Sequence, residues 1–152
     1  MIKMGYLKYY DKEDKKYPDL DHLYVSNDEA KQIISKAIKR FNISTMICNN
    51  IMNDDTVVVN AKFDSSYYMY YNDIGKIRLA SDPVVLTILH ELAHAMQHTN
   101  RLKNNIVINP CKRMVVHNKE HASYVNQLAK WFKRNNKRWG YGIPIYKIKL
   151  ED

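Results

Sequence analysis

The sequence predicts a single α+β domain, with an N-terminal helix, a small antiparallel sheet and two later helices. Three observations predict it. Apolar residues recur at helical spacing after residue 26. Short β-branched and aromatic runs, cut by turn residues, fill 46–79. Helical periodicity returns over 84–98. A chain of 152 residues is long enough to bury one ordinary core, and it shows neither a repeat nor a linker.

The elements follow in order. Residues 1–25 are rich in Tyr and Lys and are expected to be irregular, with Lys12–Lys16 a charged loop. Ser26 and Glu29 have capping-box spacing. Beyond them Ala30, Ile33, Ile34, Ala37, Ile38 and Phe41 form one apolar face, with Lys31, Lys36, Lys39 and Arg40 on the wet side. Strands are expected at Met46–Ile51, Thr56–Phe63, Tyr67–Tyr71 and Lys76–Leu79, and their short connections imply antiparallel pairing. An edge strand beside a cleft would suit an extended peptide. Ser81-Asp82-Pro83 reads as a helix start, with a capping side chain and Pro at the first helical position. That helix runs to about Asn100, with Val85, Ile88, Leu89, Leu92, Ala93 and Met96 facing the core and Thr87, His90, Glu91, His94 and His98 on the other side. A loop over 101–116 leads to a last helix from about Asn118 to Phe132 or beyond. The tail Tyr146–Leu150 alternates like a strand.

Composition narrows the setting. No apolar run approaches a membrane span, and the N-terminus lacks the apolar stretch of a secretory signal. Cys48 and Cys111 are isolated, giving neither a metal knuckle nor a disulfide framework. An intracellular, monomeric protein is expected.

The chemistry is concentrated at His90-Glu91-Leu92-Ala93-His94, an HExxH motif. Residues four apart share a helix face, so His90 and His94 can reach one metal ion. Glu91 beside them can act on water as a general base, and the pattern reads as the helix of a zinc hydrolase. A catalytic zinc takes three protein ligands and keeps one position open. His117, Glu120 and His121 are the candidates downstream. His98, one further turn along, would drift past the metal, because the helix rises about 6 Å over four residues.

Ile77-Arg78-Leu79-Ala80-Ser81, leading into Thr87-Ile88-Leu89-His90-Glu91-Leu92-Ala93-His94-Ala95, resembles the core of SprT-like metalloproteases. That family places a third histidine at the start of a later helix, in an HGxxF/W pattern, and His117-Asn118-Lys119-Glu120-His121 is similar. Asn118 replaces the usual Gly, and His121 stands where an aromatic is usual. Asn tolerates left-handed backbone better than most residues. The resemblance covers roughly residues 28–133 and implies a minimal zincin-like domain. It also implies Zn2+ held by His90, His94 and His117, with Glu91 as the general base. Spartan-like members cleave proteins crosslinked to DNA. Two cysteines rule out the Cys-rich zinc ribbon that many carry.

Glu120 remains an alternative third ligand, since gluzincins such as thermolysin use a downstream glutamate. His121 is read as packed beside the site, and Tyr124 is a further candidate for donating to an oxyanion.

Lys130, Lys133, Arg134, Lys137 and Arg138 lie among Trp131, Phe132 and Trp139, and the chain carries a net charge of +8. Such a segment can neutralise phosphates and stack on unpaired bases. The alternative is a solvated helix end whose cations suit the negative dipole terminus.

The expected function is therefore zinc-dependent hydrolysis of peptide bonds in a protein substrate, with DNA as a candidate partner. Two other classes stay open. One is a non-enzymatic DNA-binding or interaction module with a structural zinc; the other is a gluzincin-type peptidase with no nucleic-acid role.

Overall fold

A computed structural model describes residues 12–43, 57–60, 67–71, 74–80, 83–104 and 117–136, of which 57–76 and residue 102 are described in backbone only. The expected strand at Met46–Ile51, the tail strand, and Lys137, Arg138 and Trp139 lie outside the described residues.

Five helices and three strands occur among them. Residues 12–16 form helix α1. Helices α2 (Pro18–Asp21), α3 (Asn27–Phe41), α4 (Val85–Lys103) and α5 (Lys119–Asn135) follow, with strands β1 (Val57–Asn60), β2 (Tyr67–Tyr71) and β3 (Ile74–Ala80) between α3 and α4. The chain is thus mainly helical, with a small sheet.

Helix α3 follows local rules closely. The Ser26 hydroxyl accepts from the Glu29 amide, and the Glu29 carboxylate accepts from the Ser26 amide. Asn42 ends the helix in the left-handed region at φ 52°, the sole non-glycine residue with positive φ among those described.

The sheet is mixed, in the order β1-β3-β2, and the expectation of purely antiparallel pairing is corrected here. β2 and β3 form an antiparallel hairpin across two residues, with Tyr71 opposite Ile74. β1 instead pairs with β3 in parallel, Val57 opposite Ile77. The short connection does reverse the chain between β1 and β2. It does not make them neighbours, because β3 takes the place between them. Along β3, Ile77 and Leu79 are buried while Arg78 and Ala80 are half-buried, the period-two pattern of a strand with one face on the core.

Helix α4 is the centre of the molecule, packed against α2, α3, α5, β2 and β3. Every residue from Ile88 to Thr99 is buried. The expected division into a core face and an open polar face is therefore corrected. A helix surrounded by other elements has no solvent face, so its polar residues must find partners inside. His98, 0% exposed, belongs to this interior. The helix starts at Val85, later than Pro83, because the chain just before it is used elsewhere. The Val25 amide donates to Pro83 O, the Val85 amide donates to Leu23 O, and Tyr24 bridges Val84.

The N-terminal expectation also changes. Residues 12–16 are helical rather than a loop, and Glu13, Tyr17, Leu20, Leu23 and Val25 are buried. Helix α5 lays Val125, Leu128, Ala129, Trp131 and Phe132 into the core, with Trp131 edge-on to Phe41 at 5.7 Å. No helix among the described residues is long and apolar enough to cross a membrane.

Candidate metal centre

The centre lies where α4 meets the first turn of α5. His90 and His94 project from α4 one turn apart, and their ring centroids are 5.0 Å apart. The Asn118 side chain caps α5 by accepting from the His121 amide at 3.0 Å. Asn118 has φ −137°, so the cap oxygen is its contribution, not left-handed backbone. The cap fixes the start of α5 so that His117, just before it, and His121, in its first turn, both reach the α4 histidines.

Four imidazoles gather there. His117 Nε2 lies 2.9 Å from His90 Nε2 and 3.2 Å from His94 Nε2. His121 packs against the same rings, its centroid 4.5 Å from that of His90 and 4.2 Å from that of His94. His90, His94 and His121 are all buried, with ligand nitrogens within 4.8 Å of one another, and this group could hold a metal ion.

The hydrogen bonds around the cluster orient its nitrogens. His90 Nδ1 lies 2.9 and 3.0 Å from the two carboxylate oxygens of Glu13. His94 Nδ1 lies 2.8 Å from Gln97 Oε1, which can only accept, so Nδ1 carries the proton and Nε2 keeps its lone pair. The Gln97 amide is itself oriented, since its Nε2 donates to Asn118 Oδ1 at 3.3 Å and Glu120 Oε1 at 3.4 Å. His121 Nε2 donates to the backbone carbonyl of His90 at 3.0 Å, tying α5 to α4 at a cluster residue.

Burial sets the charge states. It pushes His90 down to about 4, His94 to about 3 and His121 to about 2, so all three are neutral at neutral pH, the form that can ligate a metal. Burial, with Glu13 nearby, pushes Glu91 up to about 8. Glu13 rises to about 8 as well, again through burial first and then through Asp21.

The donor set fits a zinc-type ion. Imidazole nitrogens 2.9 and 3.2 Å apart repel through their lone pairs unless a proton or a cation lies between them. Tetrahedral coordination at about 2.0–2.1 Å would separate such nitrogens by about 3.3 Å, close to the distances found.

Of the residues picked out from sequence, His90, His94 and His117 are brought together with buried Glu91 beside them. Glu120 is not. Its carboxylate accepts from Gln97, from Asn100 at 3.1 Å, and from both terminal nitrogens of Arg101 at 3.4 Å. Tyr124 lines a hollow with Phe41, Met96, Thr99, Asn100 and Lys103 near the C-terminal half of α4. In the basic segment Lys130 and Arg134 are exposed and Lys133 is half-buried. Trp131 and Phe132, expected as stacking partners, are 2% and 0% exposed and belong to the core.

Glu13 and Gln97 are functional candidates that sequence reasoning passed over. Glu13 sits in a lysine-rich stretch that reads as solvated, and nothing local marks it. Gln97 lies about two turns beyond His90 and three positions after His94 on the same helix, and that i,i+3 spacing to His94 was the available signal.

No protein-family model matches the sequence. No curated protein and no solved structure shows a significant match to it either.

Proposed function

We propose that this chain is a zinc-dependent peptidase of the SprT-like kind, a small zincin-like domain whose metal is held by His90, His94 and His117. The observation that carries the reading is the meeting of three Nε2 atoms, two from α4 and one from the residue just before the α5 cap, beside a buried glutamate in an HExxH motif. When bound, zinc at this point supplies a Lewis acid that polarises the scissile carbonyl and makes water acidic enough to attack near neutral pH.

The chain's own residues do the rest. His90 and His94 are held with Nδ1 turned outward, to Glu13 and Gln97, so both present Nε2 inward. Glu91 takes the proton from the attacking water and delivers it to the leaving amine. Its raised pKa suits the return step, which needs a protonated acid, and a neighbouring dication favours the carboxylate needed first. His121 supports the ligand helix through the His90 carbonyl instead of occupying the cleft.

Glu91→Gln provides the test. It should leave zinc content unchanged and lower hydrolysis of an unfolded protein substrate by about 100-fold or more. Full activity in a zinc-loaded Glu91→Gln chain would reject the mechanism.

One observation favours a second reading. His121 stands among the same rings, so a closed four-histidine site would be structural, not catalytic. Cobalt substitution separates the two. An open site binds added inhibitor anions with a change in the visible spectrum, and a closed site does not. DNA-bound proteins remain the proposed substrate class on the SprT-like reading, with phosphate contacts from Lys130, Lys133 and Arg134 in place of aromatic stacking.

A further inference from the structure

The His90 contact with Glu13 joins the ligand helix to a residue 77 positions away in sequence. Glu13 is 8% exposed, whereas Lys12, Lys15 and Lys16 around it are exposed. Helix α1 therefore turns one polar group inward, and that group meets a candidate metal ligand. A carboxylate is a costly residue to bury without a donor. Here both of its oxygens lie within 3.0 Å of His90 Nδ1. An open groove of about 200 Å³ runs beside this contact, lined by Lys12, Glu13, Lys16, Tyr17, Ala122 and Val125.

We propose that Glu13 is a positioning residue for the metal, and that metal occupancy and the docking of helix α1 stabilise each other. The proposal rests on the reading of His90 as a metal ligand. Glu13 accepts from Nδ1–H and so holds the His90 ring with Nε2 toward the cluster. Loss of such an outer partner typically costs 10–100-fold in metal affinity. Coupling of this kind is reciprocal. If a docked α1 tightens zinc by a given factor, zinc must favour the docked α1 by the same factor. The metal then serves as a clasp between the N-terminal segment and the central helix.

The experiment uses the full chain and three variants, Glu13→Ala, Glu13→Gln and Tyr17→Phe. Zinc dissociation constants are read by chelator competition, and limited trypsin digestion is followed at Lys12, Lys15 and Lys16 with and without zinc. Glu13→Ala should weaken zinc by about 10–100-fold. Glu13→Gln keeps an oxygen that can accept from Nδ1–H and should fall between. Tyr17→Phe removes the bond from the Tyr17 hydroxyl to Asn126 Oδ1, a tie between this segment and α5 that leaves the His90 Nδ1 acceptor in place, and should weaken zinc far less than Glu13→Ala. Zinc should slow cleavage at the three lysines in the parent and have no such effect in Glu13→Ala. A folded Glu13→Ala with the parent's affinity overturns the proposal, as does equal weakening by Tyr17→Phe. Should Glu13→Ala fail to fold, zinc-independent cleavage of the parent overturns it, and zinc protection of the parent with an intermediate affinity in Glu13→Gln supports it. A folded parent that binds no zinc overturns the hydrolase reading along with it. A zinc-binding parent with unaffected Glu13 variants overturns this proposal alone.

Discussion

Replacing Gln97 with Leu probes how the second ligand is held. Gln97 is 0% exposed, and Leu is close to it in size, so packing is largely kept. What disappears is the acceptor 2.8 Å from His94 Nδ1. The bonds from Gln97 Nε2 to Asn118 and Glu120, at 3.3 and 3.4 Å, are longer than good N–H···O bonds and contribute less. Glu120 also keeps Asn100 and Arg101. A buried N–H left without its acceptor costs about 1–3 kcal/mol. For a domain of this size that lowers the melting temperature by about 2–4 °C per kcal/mol. In the ligating tautomer the same proton must stay on Nδ1, so the loss also falls on zinc binding, as a decrease of about 10–100-fold. That factor equals about 1.4–2.7 kcal/mol, within the range set by the lost acceptor. Chelator competition on Gln97→Leu measures the affinity, and thermal melts with and without zinc measure the stability. If Gln97→Leu bound zinc as tightly as the parent, His94 would not be oriented through Gln97, and the account of the site would fail.

Other outcomes follow from the same geometry. His117→Ala should strip most of the bound zinc, whereas Glu120→Ala, which touches the cluster's hydrogen bonds only through the Gln97 amide, should cost less than about tenfold; zinc content by elemental analysis decides, and the reverse order would favour a gluzincin-type ligand set. In the metal-free protein burial holds His90, His94 and His121 below 6.5, so the unfolded chain gains protons there that the fold does not, and stability falls as pH drops below about 6.5. Burial holds Glu13 and Glu91 at about 8, so the fold binds protons the unfolded chain has lost, and stability falls as pH rises from about 4.5 through 8. Melts in chelator should therefore peak between about pH 4.5 and 6.5; a steady rise to pH 9 would contradict the glutamate sign, and a steady fall from pH 4 the histidine sign. Replacing Lys133, Arg134, Lys137 and Arg138 with Ser should weaken DNA binding and flatten its salt dependence; unchanged affinity in a folded, zinc-loaded variant would remove this segment from the DNA reading.

Sequence alone determined the features that depend on neighbours along the chain. The capping box at Ser26 and Glu29 and the apolar face of α3 are local. So is the one-turn spacing that puts His90 and His94 side by side, because helix geometry requires it. His117 was reached by position, through a pattern at the start of the later helix. Tertiary structure decided whatever depends on partners far apart in sequence. The parallel pairing of β1 with β3 requires β3 to enter between two strands already connected, which no turn motif records. The burial of α4 on all sides is a property of its surroundings, and it turns His98 and Gln97 into interior residues. Trp131 reads as a stacking platform beside its cations, yet it lies in the core because its face of α5 meets Phe41. Glu13 shows the limit most sharply. In sequence it is one acid among lysines; in the fold it is a buried carboxylate held against His90, because only the packing of α1 brings the two within hydrogen-bond reach.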